Sequence, residues 1–308
     1  MSTTSSGRTA RLQEETLGGL LVASAALFFG GVVVLGKFAL RRGQPVTSML
    51  AVRFGVAAMI LALALGLLRR PLRAARGEGR GLALLGVGGY AVEATFFFAA
   101  LEHGTAAAVT LLFFTYPVFV TLVSWMAGRG KPTRLTVLSL ALAVGGAAVM
   151  VGFGGKLAIA SAGVLFALAS ALTYSGYLVG ADFLLRLTNP LTSSMWVSTG
   201  ASVGLAVYAV LSGGARWPSG WTEWWPVTGM GAATAGAFVC LLAGLRRLGA
   251  VRTSVVSATE PLAAALLAFL FLGEKVSAGT AMGGALILVG AVVASLARAA
   301  TPQEQQIP

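Results

Sequence analysis

The side chains able to do chemistry are few, and most of them stand in apolar surroundings. Glu93 interrupts the run GGYAVEATFFFAAL and Glu260 interrupts SVVSATEPL, while Lys37 and Arg53 sit in equally apolar stretches. A charge held in the middle of a membrane helix costs about 2.5–3.5 kcal/mol on insertion scales, so each of these residues needs a reason to be there. Glu93 suits a proton-coupling site or a partner for a substrate ammonium; a structural hydrogen bond, or pairing with Arg53 or Lys37, accounts for it equally well. Lys37 either snorkels to the lipid headgroups or faces a cavity and attracts a carboxylate. For Arg53 the alternatives are snorkelling and pairing with a carboxylate. Asp182 reads as interfacial, and the adjacent Glu274 and Lys275 as a turn or cap.

Aromatic residues form the second set. Tyr90, Phe97, Tyr116, Tyr174, Tyr177 and Trp196 lie inside apolar runs, where packing and cavity lining are both open to them. A tyrosine hydroxyl removed from water needs a hydrogen-bond partner, which makes the tyrosines candidates for polar recognition. Trp217, Trp221, Trp224 and Trp225 cluster at one boundary and read as an interfacial belt. Catalysis has little to work with. There is one cysteine, Cys240, and one histidine, His103, with no metal-binding, P-loop or dinucleotide fingerprint. Thr173-Tyr174-Ser175-Gly176 lacks the first glycine of a nucleophile motif. No enzyme activity, cofactor or metal is expected.

The elements that must position these residues follow from composition. Only 10% of the 308 residues are charged, against about 25% in soluble domains, and mean hydropathy is +0.86. Ten apolar runs are expected as helices, at 17–40, 46–68, 81–101, 104–127, 134–154, 160–182, 190–212, 224–247, 249–272 and 279–300. They are too long, and alternate too little, for barrel strands. The net charge of +12 is a matter of distribution. With the N-terminus in the cytoplasm, 15 Lys and Arg fall on inner segments and 5 on outer ones. That bias puts both termini inside and leaves no need for a nucleic-acid partner.

The chain also repeats. A shift of 145 lays Gly18–Ser48 on Gly163–Ser193, matching Phe38/Phe183, Pro45/Pro190, Thr47/Thr192 and Ser48/Ser193. A shift of 144 pairs Thr115/Thr259, Tyr116/Glu260 and Pro117/Pro261. Five helices per half is an odd number, so the second half must enter the membrane from the opposite side. The expected organisation is a tail at 1–16, a first five-helix repeat at 17–154, an inverted second repeat at 160–300 and a tail at 301–308. Inverted repeats are the architecture of many secondary carriers, with the site near the bilayer midplane between the halves. Pro117 and Pro261 are expected as kinks midway along their helices, serving as hinges or as packing features. Gly145-Gly146 and Gly279xxxGly283 offer small faces for close packing.

The stretch TEPLAAALLAFLFLGEKVSAGTAMGGALILVGAVV, with AAAVTLLFFTYPVFVTLVSWMAG in the first half, resembles the EamA-type drug/metabolite transporter superfamily. Gly130 stands where the first-half counterpart of Glu274 would fall, a departure from that pattern. The resemblance implies a ten-helix secondary carrier of the bacterial inner membrane, most similar to amino-acid exporters, with drugs, nucleosides or phosphorylated sugars as alternative cargo. Partners are then a small-molecule substrate and the lipid bilayer, with proton coupling open and a monomer or homodimer as the unit. Within it, Tyr90, Glu93, Phe97, Tyr116, Tyr177, Trp196, Glu260 and Lys37 are the candidates for substrate binding or cavity lining. An intramembrane enzyme and a channel are the remote alternatives.

Overall fold

The computed structural model describes residues 3–126, 128, 133–153, 159–184, 187–257 and 259–300. Apolar residues of good helix propensity fill these segments, and helices satisfy every internal backbone group where water is absent. Twelve α-helices are described: α1 Thr3–Arg41, α2 Val46–Leu67, α3 Glu78–Leu84, α4 Ala91–Glu102, α5 Ala106–Phe113, α6 Tyr116–Met126, α7 Arg134–Phe153, α8 Ser161–Leu184, α9 Pro190–Leu211, α10 Trp221–Ser257, α11 Glu260–Leu272 and α12 Ala278–Ala300. A π-helical turn, Leu85–Tyr90, joins α3 to α4 into one continuous rod. The described residues form no strand, only an isolated antiparallel bridge between Gly104 and Ile159.

Among the described residues, six helical segments are long and apolar enough to cross a membrane: Gln13–Arg41, Val46–Leu67, Glu78–Glu102, Ser161–Ala181, Pro190–Leu211 and Trp221–Gly244. Four shorter apolar stretches, Ala106–Val120, Val137–Val149, Glu260–Leu272 and Ala278–Val293, fall where the other expected spans lie. Apolar residues fill the core and also cover the surface. Leu20, Met59, Leu63, Leu266 and Phe271 point outward, whereas a soluble protein seldom exposes so continuous an apolar surface.

Three boundaries differ from expectation. The segment expected as a tail at 1–16 is already helical from Thr3, while residues 301–308 lie outside the described part. The expected division between helices at 247–249 is absent, because α10 runs unbroken to Ser257. Its only candidate breaker there is Gly249, and a helix tolerates a glycine at about 1 kcal/mol. Finally, Pro117 and Pro261 do not kink a helix midway. Each sits in the first turn of a new helix, α6 or α11, after a break at Phe114–Thr115 or just before Glu260. A proline costs no hydrogen bond in a first turn, so the chain breaks before it.

The helices pack as pairs. The most extensive contacts join α1 to α10, α7 to α12, α2 to both α9 and α10, and α4 to α8; α1 also meets α11, and α8 meets α5 and α6. Glycine permits the closest of these approaches. A methyl group on Gly86 of the π turn would lie 2.5 Å from the Val197 carbonyl of α9, and one on Gly146 of α7 2.5 Å from the Gly283 carbonyl of α12.

Candidate functional site

Residues from seven helices and the π turn enclose a cavity of about 80 Å³. Helix α1 contributes Phe29, Val32 and Val33, α2 contributes Arg53, and the π turn ends on Tyr90. Glu93 and Phe97 lie one helical turn apart on α4 and so face the same way. Phe113 of α5, Tyr116 of α6, Tyr174 of α8 and Glu260 of α11 complete the wall. The two helix breaks therefore deliver Tyr116 and Glu260 to one cavity, each as the residue before a first-turn proline.

Two charges here are deeply buried, with Arg53 at 5% exposure and Glu93 at 7%. Arg53 does not snorkel. Its Nε donates to Thr234 Oγ1 at 3.0 Å, and its guanidinium lies 4.8 Å from the ring centre of Phe54 and 5.5 Å from that of Phe98. Packing of α2 against α9 and α10 turns it inward, away from the headgroups. Glu93 Oε1 accepts from Ser170 Oγ at 3.1 Å. Glu260 is half-buried, and among the described residues none hydrogen-bonds its carboxylate, which opens on the cavity. Buried charge is tolerated only where paired or hydrogen-bonded. One cation and two carboxylates around a single cavity thus form a site with an unsaturated acidic group.

Aromatic rings form the remaining surface. Tyr116 and Tyr174 meet edge-on at 5.0 Å, and Phe97 and Tyr174 each lie close to Phe113, at 5.4 and 5.3 Å. Tyr177 stands behind this wall, 5.4 Å from Tyr90 and stacked at 5.9 Å on Tyr174. Ser175 Oγ donates to the Tyr116 carbonyl at 3.0 Å, so α8 holds the backbone beside the first helix break.

Two sequence candidates lie elsewhere. Lys37 neither snorkels nor lines the cavity: its Nζ pairs with Glu274 at 2.7 Å and donates to the Gly104 carbonyl at 2.5 Å. Glu274 in turn accepts from the Ala106 amide at 2.7 Å, at the start of α5. The group expected as a turn or cap is thus the centre of a seal between α1, the α4–α5 connection and the α11–α12 connection. Trp196 donates from Nε1 to the Leu72 carbonyl at 2.9 Å, in a separate groove with Arg73 and Arg80. The side chain of Asp182, and Gly130, Arg129, Lys131, Lys156 and Arg186, lie outside the described residues.

The fold defines a helical membrane protein with a buried polar cavity, and the comparisons say which kind. The sequence profile described as "EamA-like transporter family" matches residues 16–152 and again 161–296, so the chain belongs to that family of membrane transporters. It is 26% identical to an uncharacterized transporter, YwfM, of Bacillus subtilis strain 168, over 68% of this chain and 70% of that one. An uncharacterized transporter of Clostridium kluyveri is 24% identical over 90% of this chain and 92% of its own length. YicL of Salmonella typhimurium, described as an uncharacterized inner membrane transporter, is 28% identical over 68% of this chain and 70% of its own. A solved crystal structure superposes with a TM-score of 0.65 at 22% identity, covering 92% of this chain and 99% of the other, a likeness of fold.

Proposed function

We propose that this transporter is a secondary carrier exporting small metabolites, amino acids foremost, across the bacterial inner membrane by alternating access. The observation that carries the proposal is the pairing of unlike charges around one aromatic cavity. Arg53 suits a carboxylate, Glu93 and Glu260 suit an ammonium, and the rings of Tyr90, Tyr116 and Tyr174 suit the body between. The chemistry of such a wall is complementary to a substrate with two unlike ends.

The same proposal includes ten spans in two inverted halves, 17–154 and 160–300, with both termini cytoplasmic. Helix packing supports it. Numbering the spans in order, α1 on α10 joins spans 1 and 8, while α4 on α8 joins 3 and 6, which is the same contact with the halves exchanged. The contact of α1 with α11 and that of α8 with α5 and α6 form a second such exchange. The pairs α2–α9 and α7–α12 join equivalent helices across the axis. Glu78 and Glu223, 145 residues apart, strengthen it. Glu78 accepts from the Leu187 and Thr188 amides at 2.9 Å, clasping the connection before α9. Glu223 accepts from Gln44 at 2.6 Å and from Arg216 at 2.5 Å, clasping the connection before α2. Equivalent seals at opposite ends are what a carrier needs if each opens in turn.

Two carboxylates to one guanidinium also favour organic cations, so the test must separate the cargoes. Melting temperature would be followed with the twenty amino acids, nucleosides and cationic drugs, and the hits assayed as labelled solutes entering proteoliposomes. Saturable flux of an amino acid above empty vesicles is expected. Flux of organic cations alone would replace amino acids as cargo, and no flux of any solute would overturn the carrier.

A further inference from the structure

We propose that the groove lined by Arg73, Arg80 and Trp196 binds the phosphate of an anionic phospholipid headgroup. The groove is separate from the central cavity and measures about 460 Å³, within the range of small-ligand sites. It lies where the α2–α3 connection folds over the start of α9, at the headgroup level of two helices long enough to span. Its backbone is pinned. Thr192 Oγ1 donates to the Pro71 carbonyl at 2.8 Å, Trp196 Nε1 to the Leu72 carbonyl at 2.9 Å, and the Ala75 amide to Thr188 Oγ1 at 3.0 Å. Glu78, the acidic residue nearest in sequence, is buried and holds the Leu187 and Thr188 amides. The connection is thus fixed by bonds that consume neither arginine, and both guanidinium groups remain at the rim, exposed.

A further observation points to a lipid rather than a soluble anion. Leu67, Leu68, Leu72 and Leu84 are strongly exposed around the same connection, an apolar surface for acyl chains below a basic rim. The wall at Gly79 is open as well: a methyl group there would meet only the Ala74 side chain, at 3.9 Å. Neither packing nor a left-handed backbone asks for glycine at 79, whereas Gly77, at φ +89°, does need it. A larger side chain at 79 would fill the groove without straining the chain.

The test uses purified full-length protein, with dihexanoyl phosphatidylglycerol, dihexanoyl phosphatidylcholine and inorganic phosphate as probes of melting temperature. Phosphatidylglycerol should stabilise the wild type and the R69Q/R70Q variant, which loses equal charge beside the groove. The R73Q/R80Q variant should bind more weakly, roughly fivefold per arginine. Gly79→Val, which keeps every charge, should lose the shift too. A loss in R69Q/R70Q as large as in R73Q/R80Q would reduce the effect to diffuse surface charge and overturn the site. An equal shift with inorganic phosphate would overturn the lipid assignment, and an equal shift with phosphatidylcholine would overturn the role of the anion.

Discussion

At the residue scale, the cavity depends on charges whose removal can be read separately from folding. Arg53→Gln removes the only guanidinium among the described cavity residues. A charge-assisted contact is worth about 1.5–3 kcal/mol, so apparent substrate affinity should fall at least about tenfold. Arg53→Lys keeps the charge but loses the planar contact with Phe54 and the geometry toward Thr234, and should recover only part of it. Glu260→Gln is close to isosteric and should impair transport far more than folded yield; parallel losses of both would show a bracing role. Glu93, Glu260 and the tyrosines were legible in the sequence because a polar group stands out in an apolar run. Arg53 and Lys37 were not. Distance from a helix end does not say which way a side chain faces, and the neighbours that decide it are on α10 for Arg53 and on the α11–α12 connection for Lys37.

At the scale of elements, the two helix breaks and the seal beside them matter most. Lys37 and Glu274 are only 12% and 11% exposed, so their pair is screened little and also satisfies the Ala106 amide. Glu274→Gln or Lys37→Met should each cost on the order of 1–3 kcal/mol, and the double variant less than the sum. A cycle showing strict additivity in thermal or denaturant unfolding would remove the seal from the account. The prolines were visible from the start, but their place was not. The surrounding apolar run looks continuous, and a first-turn proline can be told from a mid-helix one only where the preceding residues leave the helix. The π turn was missed altogether, although Gly86, Gly88 and Gly89 just ahead of Tyr90 are the signal that could have found it.

For the whole molecule, the strongest pattern is the exchange symmetry of helix contacts. It was legible in outline because prolines and small polar residues recur at nearly constant offset. It was not legible in detail, since the Ala- and Leu-rich positions that make the contacts match too easily by chance. The proposed inverted arrangement predicts that fluorescent protein fused after Pro308 folds in the cytoplasm and is bright. Alkaline phosphatase inserted at Gly214, in the connection between α9 and α10, should be active on the outer side. A dark C-terminal fusion with an inactive insertion would reverse the orientation. The central claim is that one buried cavity carries solute by turns to each face. Counterflow in proteoliposomes tests it most directly, with internal unlabelled amino acid driving uptake of the labelled one. Saturable counterflow by the wild type, lost in folded Arg53→Gln and Glu260→Gln, is the predicted result; non-saturable flux without counterflow, or variants as active as the wild type, would contradict it.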